Sequence, residues 1–227
     1  EWTLQQQGFD YTYDKRLYDR LRAGDATALR QHLVAGLDFQ NRLVRFLENH
    51  DEPRAATVFP HQAHHAAAIV AMLAPGLKLI HQGQMEGRRA RLPTHLVRWP
   101  DEPIDEDLRA FYERLLTLLR RPVLRKGAWA RLEPLAAWAG NPSWQGFVAY
   151  AWRGADSRLI AAVNYAETEG QCYVRLPFPE LTRHRVRLRD LMSDAVYERD
   201  GATLTSQGLY LDLPPWDYNV FSLEIPG

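Results

Sequence analysis

The first half of the chain alternates short apolar runs with longer segments whose apolar residues have helical spacing. The apolar runs at residues 9–13, 43–47 and 77–80 predict strands. The segments between them predict helices, because their leucines and alanines recur every three or four residues. We expect these helices at residues 15–23, 25–35, 60–76 and 105–121. Strands that alternate with helices indicate a parallel sheet with crossover connections.

The second half of the chain has a different pattern, with short runs of period two that are separated by turn residues. This pattern predicts an antiparallel β-sandwich of about 100 residues. The strands are expected at residues 147–152, 159–163, 173–176, 209–213 and 219–223. The change of pattern follows Pro122, and we place the boundary near Leu124. The expected domains are therefore residues 1–123 and residues 124–227.

The predicted parallel sheet has too few strands to close on itself. Three parallel strands cannot form a barrel, and each open edge exposes unpaired N–H and C=O groups. The α/β half is therefore either a small open sheet or the last part of a larger TIM barrel, to which it contributes three β-α units.

The composition excludes several classes of protein. The 28 basic residues are balanced by 28 acidic ones. The chain therefore lacks the net positive charge that would suggest nucleic-acid binding. No apolar run reaches the roughly 18 residues that a membrane span needs. Cys172 is the only cysteine, which excludes an internal disulfide and is compatible with a reducing, cytoplasmic compartment. Aromatic residues make up 11% of the chain, which fits either a carbohydrate-handling surface or a β-rich core.

The most informative segment is the polar run Asn49-His50-Asp51, which follows the second predicted strand. The carboxyl end of a buried strand is where a barrel enzyme holds polar groups over its substrate. A charge is costly in such a place unless something polar binds there. The alternative interpretation is a strand-end turn in which Asp51 caps a helix or forms an ion pair with Arg54.

This segment also carries a resemblance to a known family. Residues 46–51, with the sequence FLENHD, resemble the F-x-x-N-H-D motif that ends the seventh barrel strand in the α-amylase family of glycosidases, glycoside hydrolase family 13. Residues 75–84 resemble the eighth strand of that family, and residues 9–14 resemble the sixth. A terminal β-sandwich is also typical of the family. The resemblance covers the whole chain and implies the last part of a TIM barrel followed by a β-sandwich C domain.

By this resemblance, Asp51 stabilises the transition state and His50 binds the same sugar hydroxyls. The family's retaining mechanism also uses an Asp nucleophile and a Glu general acid, on the fourth and fifth barrel strands. Both strands would precede Gly8, where Glu1 is the only carboxylate, and the chain begins without Met. The resemblance therefore implies the carboxyl-terminal fragment of a hydrolase or transglycosylase that acts on α-linked oligosaccharides or polysaccharides. We expect this fragment to be inactive in isolation and to need no cofactor.

Three further residues are candidates for sugar binding. Arg54 follows the motif, Tyr13 ends the first predicted strand and Glu86 follows the third. Asp14, next to Tyr13, would also lie on the same face as His50, and capping of the following helix is at least an equal alternative for it.

The sequence also offers a candidate metal site and a non-catalytic function. His61 and His65 have the i, i+4 spacing of zinc ligands, but a helix surface is the expectation there, and we predict no metal site. The rival to the enzyme hypothesis is a non-catalytic carbohydrate- or partner-binding module, which the aromatic content would also suit.

Overall fold

The computed structural model describes residues 1–93, 98 and 100–226, with only the backbone of His61. In this part of the chain, three short strands form a parallel sheet of order β1-β2-β3. The strands are β1 (Thr12–Tyr13), β2 (Leu43–Arg45) and β3 (Leu77–Lys78). The helices around them are α1 (Trp2–Gln6), α2 (Lys15–Ala23), α3 (Ala26–His32), α4 (Leu37–Gln40), α5 (Ala55–Val58), α6 (His61–Leu73), α7 (Glu106–Leu119) and α8 (Pro122–Lys126).

The helices begin and end where the sequence places suitable capping residues. The carboxylate of Asp14 accepts a hydrogen bond from the Leu17 N–H at the start of α2, and Gly24 ends that helix in the left-handed conformation. Asp105 caps α7 in the same way, and Pro60 directly precedes α6. The predicted helices at residues 15–23 and 105–121 are therefore confirmed to within two residues.

The strand predicted at residues 9–13 is wrong in its length. Only Thr12 and Tyr13 pair with β2, and the Phe9 side chain is 55% exposed. The backbone carbonyls of Phe9 and Asp10 accept hydrogen bonds from the Arg42 guanidinium instead of from a neighbouring strand. The third predicted strand is likewise limited to its first two residues.

The second half of the chain contains two antiparallel sheets in the described residues, which confirms the predicted strand type. One has the order β10-β9-β12-β7-β6-β4 and the other the order β11-β8-β5. Their strands are β4 (Ala128–Leu132), β5 (Pro134–Ala136), β6 (Phe147–Arg153), β7 (Arg158–Asn164), β8 (Gly170–Val174), β9 (Arg185–Asp190), β10 (Val196–Asp200), β11 (Leu209–Leu213) and β12 (Tyr218–Glu224). Helix α9 (Gly201–Ser206) lies between β10 and β11, and two short 3₁₀ turns lie at Ser143–Gly146 and Pro179–Arg183.

Strand β6 is buried on both faces. Val148, Tyr150 and Trp152 belong to the core that contains α2, α6 and α7. The alternate residues Phe147 and Ala149 belong to a second core between the two antiparallel sheets. Because both faces are covered, this strand is a continuous apolar run rather than an alternation of apolar and polar residues.

Hydrogen bonds reinforce the contact between the two halves. The Tyr150 hydroxyl donates to the Val70 carbonyl at 3.1 Å, and the Trp152 indole N–H donates to the Leu73 carbonyl at 2.8 Å. Both carbonyls lie in the last turn of α6, where they have no partner within the helix. The boundary near Leu124 falls inside α8, and the division into two domains stays a prediction.

None of the helices in the described part of the chain combines the length and the apolar character that a membrane span requires.

We predict that Tyr150→Phe lowers the free energy of unfolding by about 1–3 kcal/mol, because the buried Val70 carbonyl loses its donor while the ring is kept. Tyr210→Phe is the matched control, since that side chain is 43% exposed on β11 and should change stability by less than about 0.5 kcal/mol. Urea unfolding monitored by circular dichroism measures both. Equal stability of the two variants would contradict the prediction.

Candidate active site

The carboxyl ends of the three parallel strands lie at one edge of the sheet. Tyr13 ends β1 and is 46% exposed. His50 and Asp51 follow β2, and His81 follows β3. The pKa of His81 is lowered by burial, by the charge of Arg54 and by His50. The fold therefore brings together three strand ends that are separated in the sequence.

Asn49 shapes the turn that presents His50 and Asp51. Its side-chain oxygen accepts hydrogen bonds from the Asp51 N–H at 2.8 Å and from the Glu52 N–H at 3.0 Å. The His50 and Asp51 side chains are 52% and 77% exposed, with 3.3 Å between His50 Nε2 and Asp51 Oδ2. The turn thus holds an imidazole and a carboxylate side by side, open to a ligand.

Glu48 anchors the same turn from inside the protein. Its carboxylate is fully buried and accepts a hydrogen bond from the Ala55 N–H at 2.6 Å. The other oxygen lies 2.9 Å from Arg54 Nη1 and 3.2 Å from His81 Nδ1. Burial raises the pKa of Glu48 to about 7, although the Ala55 N–H and the Arg54 charge both favour the ionised form. Sequence reasoning missed this residue, although it lies inside the FLENHD segment.

Arg54 is part of this buried cluster rather than of the exposed pair. Its side chain is 3% exposed, and it pairs with Glu48 instead of Asp51, so the alternative interpretation of an Asp51–Arg54 ion pair is wrong. The guanidinium also donates to the Gln82 carbonyl at 3.0 Å. Gly83 has a φ of 86°, a left-handed conformation that residues other than glycine rarely adopt, and an added Cβ would lie 2.3 Å from Arg54 Nη2. Sugar binding by Arg54 stays a prediction, and its observed contacts join the ends of β2 and β3.

His81 was not identified as a site residue from the sequence, although its place after the third apolar run was the available signal. It is 27% exposed, and its Nδ1 lies between Glu48 and Arg54. Its backbone N–H donates to the Gln84 side chain at 3.2 Å. The Gln84 amide in turn donates to the buried Tyr112 hydroxyl at 2.7 Å. His81 is therefore fixed through both its side chain and its backbone.

Asp14 is a structural residue, as the helix-cap prediction expected. It is 1% exposed and accepts hydrogen bonds from the Leu17 N–H at 3.1 Å and from His32 Nε2 at 2.9 Å. It also forms an ion pair with Arg45, which is completely buried. Burial by itself would raise the pKa of Asp14, but the His32 hydrogen bond and the Arg45 charge hold it below its ordinary value. Tyr13 packs edge-to-face on Phe46 at 5.4 Å, and its contact with a sugar stays a prediction.

Glu86 lies in the loop after β3 and is half-buried. Its backbone carbonyl accepts a hydrogen bond from the Asp105 N–H at 3.1 Å, which joins this loop to the start of α7. A role of its carboxylate in a sugar site stays a prediction.

The histidines of α6 do not form a metal site in the described structure. His64 hydrogen-bonds the Tyr112 hydroxyl at 2.8 Å and is 2% exposed, so it belongs to the core. His65 stacks on Phe111 with 4.0 Å between ring centroids. The expected position on the helix surface is therefore wrong for His65. The His61 side chain lies outside the described residues. No group of three metal-binding side chains occurs among the described residues.

We predict that Asp→Asn substitution has a large effect on stability at Asp14, after β1, and a small one at Asp51, after β2. Asp14→Asn should lower the free energy of unfolding by about 3 kcal/mol or more, because the buried Arg45 loses its counter-charge. Asp51→Asn, at an exposed position, should change it by less than about 0.5 kcal/mol. Chemical denaturation of the two variants tests this contrast, and a strongly destabilised Asp51→Asn protein would contradict it.

The raised pKa of Glu48 predicts a pH dependence of stability. Between its ordinary value of 4.5 and about 7, the folded protein binds more protons than the unfolded chain, so this group lowers stability as pH rises through that window. The loss should approach about 3 kcal/mol. Thermal unfolding from pH 4.5 to 8 should show a flatter profile for Glu48→Gln than for the unchanged protein. Parallel profiles would show that Glu48 does not titrate in this range.

Comparisons with known proteins agree with this architecture. No protein-family model matches the chain, and no curated protein matches it either. Among solved structures, a maltogenic α-amylase from Thermotoga neapolitana is similar with a TM-score of 0.72 and 17% identity, over 97% of this chain and 52% of that one. An α-amylase from Geobacillus thermoleovorans, solved with acarbose, has a TM-score of 0.70 and 18% identity, over 96% of this chain and 48% of that one.

A debranching enzyme from Nostoc punctiforme is also similar, with a TM-score of 0.60 and 16% identity over 94% of this chain and 46% of that one. The chain thus spans about half the length of the solved structures that it matches. The resemblance to the α-amylase family is confirmed at the level of the fold: this chain has the fold of about half of an α-amylase structure, consistent with a carboxyl-terminal portion.

Proposed function

We propose that this chain is the carboxyl-terminal part of a retaining glycoside hydrolase or transglycosylase that acts on α-glucosidic bonds. The observation that carries the proposal is the exposed His50–Asp51 pair, held on an Asn49-ordered turn at the carboxyl edge of a parallel sheet. The α-amylase fold of the chain supports it. In this proposal β1 to β3 are the last strands of a TIM barrel within residues 1–123, and residues 124–227 form the C domain.

The chemistry of the pair suits sugar hydroxyls. A carboxylate accepts stronger hydrogen bonds than a neutral group, and the adjacent imidazole can donate or accept. Asp51 would bind the hydroxyls next to the reacting carbon more strongly in the positively charged transition state than in the relaxed sugar. It would therefore contribute to rate more than to substrate affinity, without attacking the substrate or transferring a proton.

The nucleophile and the general acid would come from barrel strands outside these 227 residues. The chain spans about half of the structures that it matches, which supports a parent protein that contributes the remaining strands. The structural neighbours support the substrate class: the Geobacillus thermoleovorans enzyme is complexed with acarbose, and another neighbour, AmyP, is in complex with maltose. In this proposal the isolated chain binds an α-glucan weakly and does not cleave it.

A non-catalytic carbohydrate-binding module is the second candidate. It is favoured by Tyr173 and Tyr210, which lie opposite each other on β8 and β11 with 5.3 Å between ring centroids. Gln171 and Asp212 extend this outer face with a hydrogen bond of 2.9 Å. Tyr210 is exposed and Tyr173 is half-buried, and aromatic rings beside fixed polar groups are suited to stacking on sugars.

We predict that Asp51→Asn in the parent enzyme lowers kcat by about 100-fold or more and changes KM much less. Asp156→Asn, in the exposed turn between β6 and β7, is the control and should leave both constants unchanged. The 227-residue chain alone should release no reducing ends from maltoheptaose.

Two outcomes would contradict the proposal. Turnover by the isolated chain that Asp51→Asn abolishes would show that these residues contain a complete active site. Maltoheptaose binding that persists in Asp51→Asn but is lost in Tyr210→Ala would favour the non-catalytic module. The coding DNA upstream of the Glu1 codon provides a further check, since the proposal expects it to encode an Asp-bearing and a Glu-bearing strand.

A further inference from the structure

A second imidazole lies beside the His50–Asp51 pair. His81 follows β3, the strand adjacent to β2, and it is partly exposed. His50 lies in the turn after the adjacent strand β2 and contributes to the lowered pKa of His81. Its Nδ1 is engaged by Glu48 and Arg54 in the interior. The other ring nitrogen is Nε2, and the His81 side chain is 27% exposed.

The two contacts of His81 Nδ1 exclude each other chemically. Arg54 Nη1, at 2.9 Å, can only donate, so this contact requires an unprotonated Nδ1. The ionised Glu48 carboxylate, at 3.2 Å, can only accept, so this contact requires a proton on Nδ1. A neutral imidazole has one N–H, and the role of Nε2 is therefore opposite to the role of Nδ1.

Among the described residues, few other charged or titratable groups face the cluster of Glu48, Arg54 and His81. Arg54 approaches from the start of α5, His50 from the turn and Tyr112 from α7. Tyr112 stays neutral, because burial raises its pKa well above the ordinary value. Arg54 stays charged, and burial together with Arg54 and His50 disfavours an imidazolium at His81. Within the described residues, Glu48 is thus the buried group of this cluster that titrates near neutral pH.

We propose that His81 is a second sugar-binding residue beside His50, and that Glu48 is the positioning residue that decides whether His81 Nε2 donates or accepts a hydrogen bond. This proposal rests on the proposed function for the identity of the ligand, and it adds to that function a residue from the third strand end.

The proton balance follows from the geometry. When Glu48 is ionised, His81 Nδ1–H donates to its carboxylate, and Nε2 accepts a hydrogen bond from a sugar hydroxyl. Arg54 Nη1 then donates to Glu48 and to the Gln82 carbonyl instead of to Nδ1. When a proton from solvent binds Glu48 Oε1, that O–H donates to Nδ1, and the single imidazole proton is on Nε2, which then donates to a sugar oxygen. One proton is taken up in this change, and the imidazole stays neutral in both states.

The tautomer of His81 can be measured without catalytic activity. Long-range ¹H–¹⁵N correlation spectra of the 227-residue chain should show a protonated Nε2 at pH 5.5 and a protonated Nδ1 at pH 8.5. In Glu48→Gln the tautomer should no longer change with pH. A tautomer in the unchanged protein that is constant across this range would overturn the positioning role of Glu48, whether or not the variant folds.

Sugar binding is tested by titrating acarbose and following the ring-proton resonances of His50 and His81. Shifts at both residues support the proposal, and His81→Ala should then weaken binding by about tenfold, the loss of one hydrogen bond. His184→Ala is the control, because this residue is exposed and lies between the 3₁₀ turn Pro179–Arg183 and β9, far along the chain.

The outcomes separate the two proposals. Shifts at His50 without shifts at His81 would overturn the role of His81 and leave the proposed function intact. Shifts at neither residue would overturn both. Unchanged acarbose affinity in a folded His81→Ala protein would also overturn the role of His81.

Discussion

A completely buried guanidinium holds the parallel sheet together. Arg45 ends β2, and its side chain reaches Asp14 at the end of β1 and the Pro75 carbonyl just before β3, the latter at 2.7 Å. It also donates to the Gln40 side chain at 2.7 Å. A buried charge is stable only when it is paired and hydrogen-bonded, so these partners must be present together. One buried residue thus joins the three strands that carry the candidate site.

The sheet in turn depends on the antiparallel half of the molecule. Three parallel strands cannot bury both of their faces and edges alone, and α6 carries much of the chain's buried apolar surface. Strand β6 covers this helix and supplies donors to its last-turn carbonyls through Tyr150 and Trp152. Helix α6, which connects β2 to β3, is thus held in place by β6 of the antiparallel half. The same contacts help to fix the distance between the ends of β2 and β3.

The candidate site contains carboxylates with opposite environments. Asp51 is exposed on a turn, where it is free to bind a ligand, while Glu48 is buried three residues earlier with a pKa of about 7. Burial makes Glu48 responsive to pH and to its neighbours, and this is the physical basis for the role that we infer for His81. Asp14 is also buried, but its charged partners stabilise the ionised form. Chemically similar side chains thus divide into ligand-facing, positioning and structural roles according to their surroundings.

Much of the fold was accessible from the sequence, because local patterns carry it. Capping residues such as Asp14 and Asp105 determine where helices start, and the leucine spacing of α2 and α7 predicts their buried faces. The two-residue length of β1 was not predictable, since it depends on Arg42 binding the carbonyls of residues 9 and 10 from a distant part of the chain.

The sequence by itself determined the order of elements, the change from a parallel to an antiparallel half, and the position of the polar His50–Asp51 pair after an apolar strand. Only the tertiary structure decided that Arg54 pairs with Glu48 and that His81 joins the site. The physical reason is that local hydrogen bonds and hydrophobic periodicity act over a few residues and leave a trace in the sequence. Burial and ion pairing join residues about 30 positions apart, such as Glu48 and His81, and they exist only once the strands are side by side.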